Sequence, residues 1–163
     1  MLFRSIEGEL QMSSMSNYLE NKLTDFLFRG GSFTAPSTLA IALCTSAPTD
    51  ASTGATLPEV SHTNGYERAL LAPSTANWAA TDAAGSTANP SAGTGGTTSN
   101  NTAISFPALT GSWGTITHVA ILDSGTYGAG NVLFWGALTS SITPVTGNVP
   151  VFNTGTLTHQ IDN

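Results

Sequence analysis

Leu39-Ala40-Ile41-Ala42-Leu43-Cys44 is the stretch on which the fold turns. Large and small apolar residues alternate with a period of two, so successive side chains fall on opposite sides of a strand. One face carries Leu39, Ile41 and Leu43, the other Ala40, Ala42 and Cys44. Cys44 is the only cysteine, so no intrachain disulfide can form. Its apolar strand setting favours a small buried core residue over a reactive thiol.

The same period recurs downstream. In Thr115–Leu122 both alternating sets, Thr117, Val119, Ile121 and Ile116, His118, Ala120, Leu122, are mainly apolar, which predicts a central strand covered on both faces. Further strands are expected at Tyr66–Leu71, near Trp78, at Ile104–Phe106, Val132–Leu138, Val149–Phe152 and Thr156–Ile161. Asn64-Gly65 is a turn signal, and Ser124–Asn131, with three glycines, reads as a hairpin loop. Short strands with frequent turn signals predict a mainly β chain, an antiparallel β-sandwich or jelly-roll-like domain.

Upstream of the glycines Gly30-Gly31 the period is helical. Leu19, Leu23, Phe26 and Leu27 form one apolar stripe, Asn17 and Glu20 suggest a capping box, and Arg29 with the glycines marks the stop. A helix over about 17–29 follows, on the surface, because Asn21 and Asp25 occupy its other face. The organisation expected is an N-terminal extension or arm (1–14) that reaches a neighbour, then one domain (15–163) with long loops at 46–65 and 82–102. The leader MLFRSIEGELQMSS does not read as a signal peptide, having one basic residue, two acids and no long apolar core.

Charged residues make up 9% of the chain, against about 25% in an ordinary soluble domain. The basic residues are Arg4, Lys22, Arg29 and Arg68, so Arg68 alone follows the glycine pair. With a net charge of −6 and no basic cluster, nucleic acid and anionic membrane surfaces are poor partners. No apolar run approaches the ~20 residues of a spanning helix. Catalytic templates fail on inventory: His62, His118 and His159 lie in separate segments, no G-x-S-x-G elbow exists, and the glycine-rich stretches lack the lysine of a phosphate loop. The expectation is no enzyme, no cofactor and no metal. Trp135 reads as core; Trp78 and Trp113 could fill the core or an interface, or stack on sugar rings.

An ordered set of phrases resembles a family of small tailed-phage virion proteins. It runs from Met15-Ser16-Asn17-Tyr18-Leu19-Glu20-Asn21-Lys22-Leu23 through Leu39–Leu43, Glu59-Val60, Gly65-Tyr66-Glu67-Arg68 and Ile104-Ser105-Phe106-Pro107. It continues with Trp113–His118, Leu138-Thr139 and Gly155-Thr156-Leu157-Thr158. Members are labelled tail-fibre-like, and some relatives are capsid cement or decoration proteins. The resemblance implies a structural virion protein. The favoured expectation is a cement protein on the capsid exterior, made in the host cytoplasm, docking on the major capsid protein and on copies of itself as a trimer. The alternative is a tail-fibre or receptor-binding component that contacts a host glycan. Candidate intermolecular contacts are Leu2, Phe3, Tyr18, Phe28 and Trp113.

Overall fold

In the computed structural model, residues 2–5, 10–12 and 14–161 are described, the first two stretches by backbone alone. Along the chain run β1 (Leu2–Ser5), β2 (Leu10–Met12), β3 (Ser14–Met15), α1 (Asn17–Phe28), β4 (Ala40–Cys44) and β5 (Ala69–Leu70). They are followed by β6 (Thr97–Ser99), β7 (Ile104–Ser105), β8 (Ile116–Leu122), β9 (Val132–Ile142), β10 (Asn148–Phe152) and β11 (Leu157–Gln160). Among the described residues the chain is mainly β, with one helix, in its N-terminal part.

The central sheet has the order β3-β9-β8-β4-β5 and is antiparallel throughout. β8 is its middle strand, as two apolar faces require. Among the described residues there are two further, three-stranded sheets, β1-β10-β7 and β2-β11-β6. Their C-terminal pairs are antiparallel, whereas β1 and β2 add alongside β10 and β11 in parallel. Residues 2–5 and 10–12, within the stretch read from sequence as an extension or arm, thus pair with strands of their own chain.

The alternation in β4 explains the layering. Ile41 and Leu43 enter the main core with Val119, Ile121 and Leu133 of the same sheet and Ile104, Phe152 and Leu157 of the small sheets. Ala42 and Cys44 face the other way, with Ala120, Leu122 and Val132, beneath Leu57. Small side chains on that face let the 46–65 loop lie close. Cys44 bridges to Glu59 and Thr53 to Asn131, and at Gly54 a Cβ would stand 2.0 Å from the Ala129 carbonyl oxygen.

Four local readings are refined. The helix cap is Ser16, one residue before the Asn17 expected: its buried hydroxyl accepts from the Leu19 amide and donates to the Val132 carbonyl. A cap that also ties the helix to β9 outcompetes an exposed Asn. The strand expected at Tyr66–Leu71 contracts to Ala69–Leu70, because Tyr66 closes a turn in which its amide N–H donates to the Thr63 carbonyl. The region near Trp78 makes only an isolated bridge to Asn100, and the 82–102 loop contains β6, paired with β11. The Asn64-Gly65 turn is as read, both residues having positive φ (54° and 80°), the conformation that favours this dipeptide.

Candidate functional site

Arg68 organises one end of the domain. Its guanidinium grips the Glu59 carboxylate, with Nε 2.9 Å from Oε1 and Nη2 2.7 Å from Oε2. The two side chains are 0% and 2% exposed. Nη1 donates to the carbonyls of Ser124, Thr126 and Ala129, and Nη2 reaches that of Gly54 at 3.4 Å. Buried charge is tolerated only when paired and fully hydrogen-bonded, and this pair meets both conditions. The one basic side chain after the Gly30-Gly31 pair therefore fastens the 124–131 hairpin loop to the 46–65 loop.

Tyr66 extends the network inward. Its hydroxyl donates to Glu59 Oε1 at 2.8 Å and accepts from the Leu43 amide at 3.0 Å. Burial first, and then the Glu59 charge, push the Tyr66 phenol well above its ordinary value. The same two causes push the Cys44 thiol up, with Arg68 opposing. A thiol held neutral beneath a loop is not a nucleophile.

Aromatic rings roof the clamp. Tyr66 meets Trp113 and Tyr127 edge-on, at centroid distances of 5.1 and 6.4 Å. Tyr127 stacks on His62 at 4.7 Å, and His62 Nε2 lies 2.8 Å from Glu67 Oε1. His62 and Glu67 are exposed, so the outer layer of this end is an aromatic ring pair beside a carboxylate. Trp113 is buried and donates its indole N–H to the Asn64 carbonyl at 3.0 Å, so its ring serves the loop end from inside.

The opposite behaviour is seen at the tip of α1. Exposure climbs along the helix from 5% at Leu19 to 51% at Phe26, 65% at Leu27 and 82% at Phe28. Three consecutive residues point about 100° apart on a helix, so their joint exposure means the whole end projects from the body. The apolar stripe is real at its base and bare at its tip. Gly30, at φ 70°, ends the helix as the sequence implied, and the amides of Arg29 and Gly31 both donate to the Asp25 carbonyl.

An open apolar groove of about 250 Å³ lies elsewhere on the surface. Leu39, Pro73, Trp78, Ile121, Leu133 and Phe134 supply its apolar lining, and the Trp78 indole is oriented by a bond to the Leu71 carbonyl.

The structure separates the three histidines. His118 lies beside Trp135 and His159 against Phe134. Phe134 and Trp135 are consecutive in β9 and face opposite ways, so the two rings sit on opposite sides of the sheet. Burial lowers the pKa of His118. Among the described residues, no three potential metal ligands cluster, and no helix is long and apolar enough to cross a membrane. Of the expected contact residues, Phe28 is exposed and Tyr18 is half-buried with the Lys22 ammonium 5.9 Å from its ring centre. The side chains of Leu2 and Phe3 lie outside the described residues. Sequence reasoning singled out Arg68 for its isolation but not for its role; the signal was Glu59 and Tyr66 as partners for the one buried cation among the described side chains.

A family model described as podophage GP4 fiber I protein gp80 matches residues 14–160. No curated protein matches the chain.

Proposed function

We propose, from the premise that the chain belongs to the podophage GP4 fiber I protein family, that it is a globular, non-catalytic subunit of the virion's tail-fibre apparatus. The observation that carries this reading is the extent of the match, which runs from β3 to β11 and so takes in the entire central sheet and the Arg68 clamp. A fibre shaft is built from a repeat, and these 163 residues carry none, which supports an attachment or tip module over a shaft. The chemistry is consistent with a structural role. The buried carboxylate is committed to Arg68, and the buried thiol is held neutral.

A second reading, capsid cement, is favoured by the charge-poor surface. An interface with few ions to desolvate suits permanent assembly on a shell. Copy number separates the two. Quantitative mass spectrometry of purified virions is expected to find a handful of copies, matching the tail; hundreds, near the number of capsid subunits, would overturn the fibre reading and favour cement.

A further inference from the structure

The tip of α1 and the apolar groove are each left unfilled by the described residues of one copy, and each has the shape and chemistry the other lacks. We propose that they are the two halves of a contact between copies of this chain, in which the Phe26-Leu27-Phe28 tip of one copy enters the groove of the next.

Size supports the fit. A cavity of about 150 Å³ lined by apolar side chains holds a benzene ring. The groove, at about 250 Å³, has room for the Phe28 phenyl and part of a second side chain. Chemistry agrees: Leu39, Pro73, Trp78, Ile121, Leu133 and Phe134 offer an apolar lining with an aromatic wall for a phenyl ring.

Charge favours a second copy over an acidic or basic stranger. The helix carries Glu20 and Asp25 against Lys22 and Arg29, and so is neutral within a chain of net charge −6. Asp25 and Arg29 pair with each other at 2.9 Å. A neutral helix can approach a like-charged copy without repulsion, and no cluster of one sign on it calls for an opposite partner.

Area points the same way. The three tip residues leave on the order of 400 Å² of apolar surface in water, a patch of the size that on monomers is often functional. One tip alone falls short of the ~800 Å² per partner of a standard interface. A copy that both gives its tip and receives another makes two such contacts and buries more than one tip alone. Tip and groove are different surfaces, so the contact is either exchanged reciprocally across a twofold axis or passed head to tail around a closed ring. It does not depend on whether the assembled protein sits on tail or capsid.

Sedimentation equilibrium on the full chain tests this. The wild type is expected to be a closed oligomer at micromolar concentration. Phe28→Asp, at an exposed helix tip, and Pro73→Arg, at an exposed groove position, are each expected to weaken association by at least ~30-fold, the loss typical of a central contact residue. Mixed together, they retain one intact tip (on Pro73→Arg) and one intact groove (on Phe28→Asp), and a species of two copies is expected that neither forms alone. A wild type that stays monomeric at 100-fold higher concentration overturns the proposal. So does an oligomer that Phe28→Asp dissociates but Pro73→Arg leaves intact, since the tip would then meet something other than the groove.

Discussion

The loop end around Arg68 and the tip of α1 treat scarce charge in opposite ways. At the loop end, one guanidinium and one carboxylate are sealed in the interior and every donor finds a partner, so two loops that could wander are fixed. At the tip, the ions lie outside, paired at the surface, while three large apolar side chains face water. The difference teaches where each region's interactions are completed. The loop end is finished within one chain. The tip is left open by the described residues of its own chain, and under the proposal above a second copy finishes it.

Breaking the clamp should have the largest effect. Removing one partner of a buried pair costs about 3–5 kcal/mol, because the other charge stays buried without compensation. Arg68→Met also strips donors from the carbonyls of Ser124, Thr126 and Ala129. Thermal unfolding should fall by on the order of 10 °C for a domain of this size. Replacing both partners together, Arg68→Met with Glu59→Leu, should cost less than the two single losses summed, as measured by urea denaturation. Additive losses would show that the pair does not act as a unit.

Next comes the point where the helix joins the sheet. Ser16→Ala removes both the cap to Leu19 and the bond to Val132, and should cost about 1–2 kcal/mol. The comparison predicts that this loosens the base of the helix and leaves the loop end untouched, which amide hydrogen exchange can read region by region.

The strands were legible because the period-two pattern is local: in Leu39–Cys44 and Thr115–Leu122 each residue's face follows from its neighbours alone. The Asn64-Gly65 turn and the Gly30 stop were legible for the same reason. The Arg68 clamp was not, since its partners come from positions 54, 59, 124, 126 and 129, and only the folded chain brings them together. The helix stripe shows a different limit. Spacing identifies Phe26 and Leu27 as apolar-face residues but says nothing of whether a neighbour in the same chain covers that face. Trp113 was open for a like reason: its sequence context gave no sign of the Asn64 carbonyl that holds it inside.

A third effect is silent at neutral pH. The ordinary values of Cys44 and Tyr66 are 9.0 and 10.0, and folding raises both. Below about pH 8 the folded and unfolded chains hold the same protons at these groups, and neither contributes a slope. Above it the unfolded chain releases protons that the folded chain keeps, so stability falls as pH rises. Urea midpoints measured from pH 7 to 11 should be level and then decline, and Cys44→Ala should move the start of the decline upward. The loop end would then be the alkali-sensitive region, since Tyr66 joins Glu59 there and Cys44 lies beneath it. A decline unchanged in Cys44→Ala would remove the thiol from that account.

The smallest effect belongs to the tip, and its smallness is informative. Asp25 and Arg29 are spaced i,i+4, with side chains 55% and 72% exposed, so solvent screens their attraction to about 0.3–0.5 kcal/mol. Asp25→Asn should therefore barely move the unfolding midpoint in urea. It does change the helix from neutral to net positive, beside three bare apolar residues. If the tip is finished by another copy of a chain bearing −6, the added positive charge should speed association at low salt and lose that advantage as salt rises, with dissociation little altered. A variant that is nearly neutral for folding yet salt-dependent in assembly kinetics would separate the two roles of the helix. One that alters stability and association together would mean the tip is part of the fold after all, and the contrast with the loop end would close.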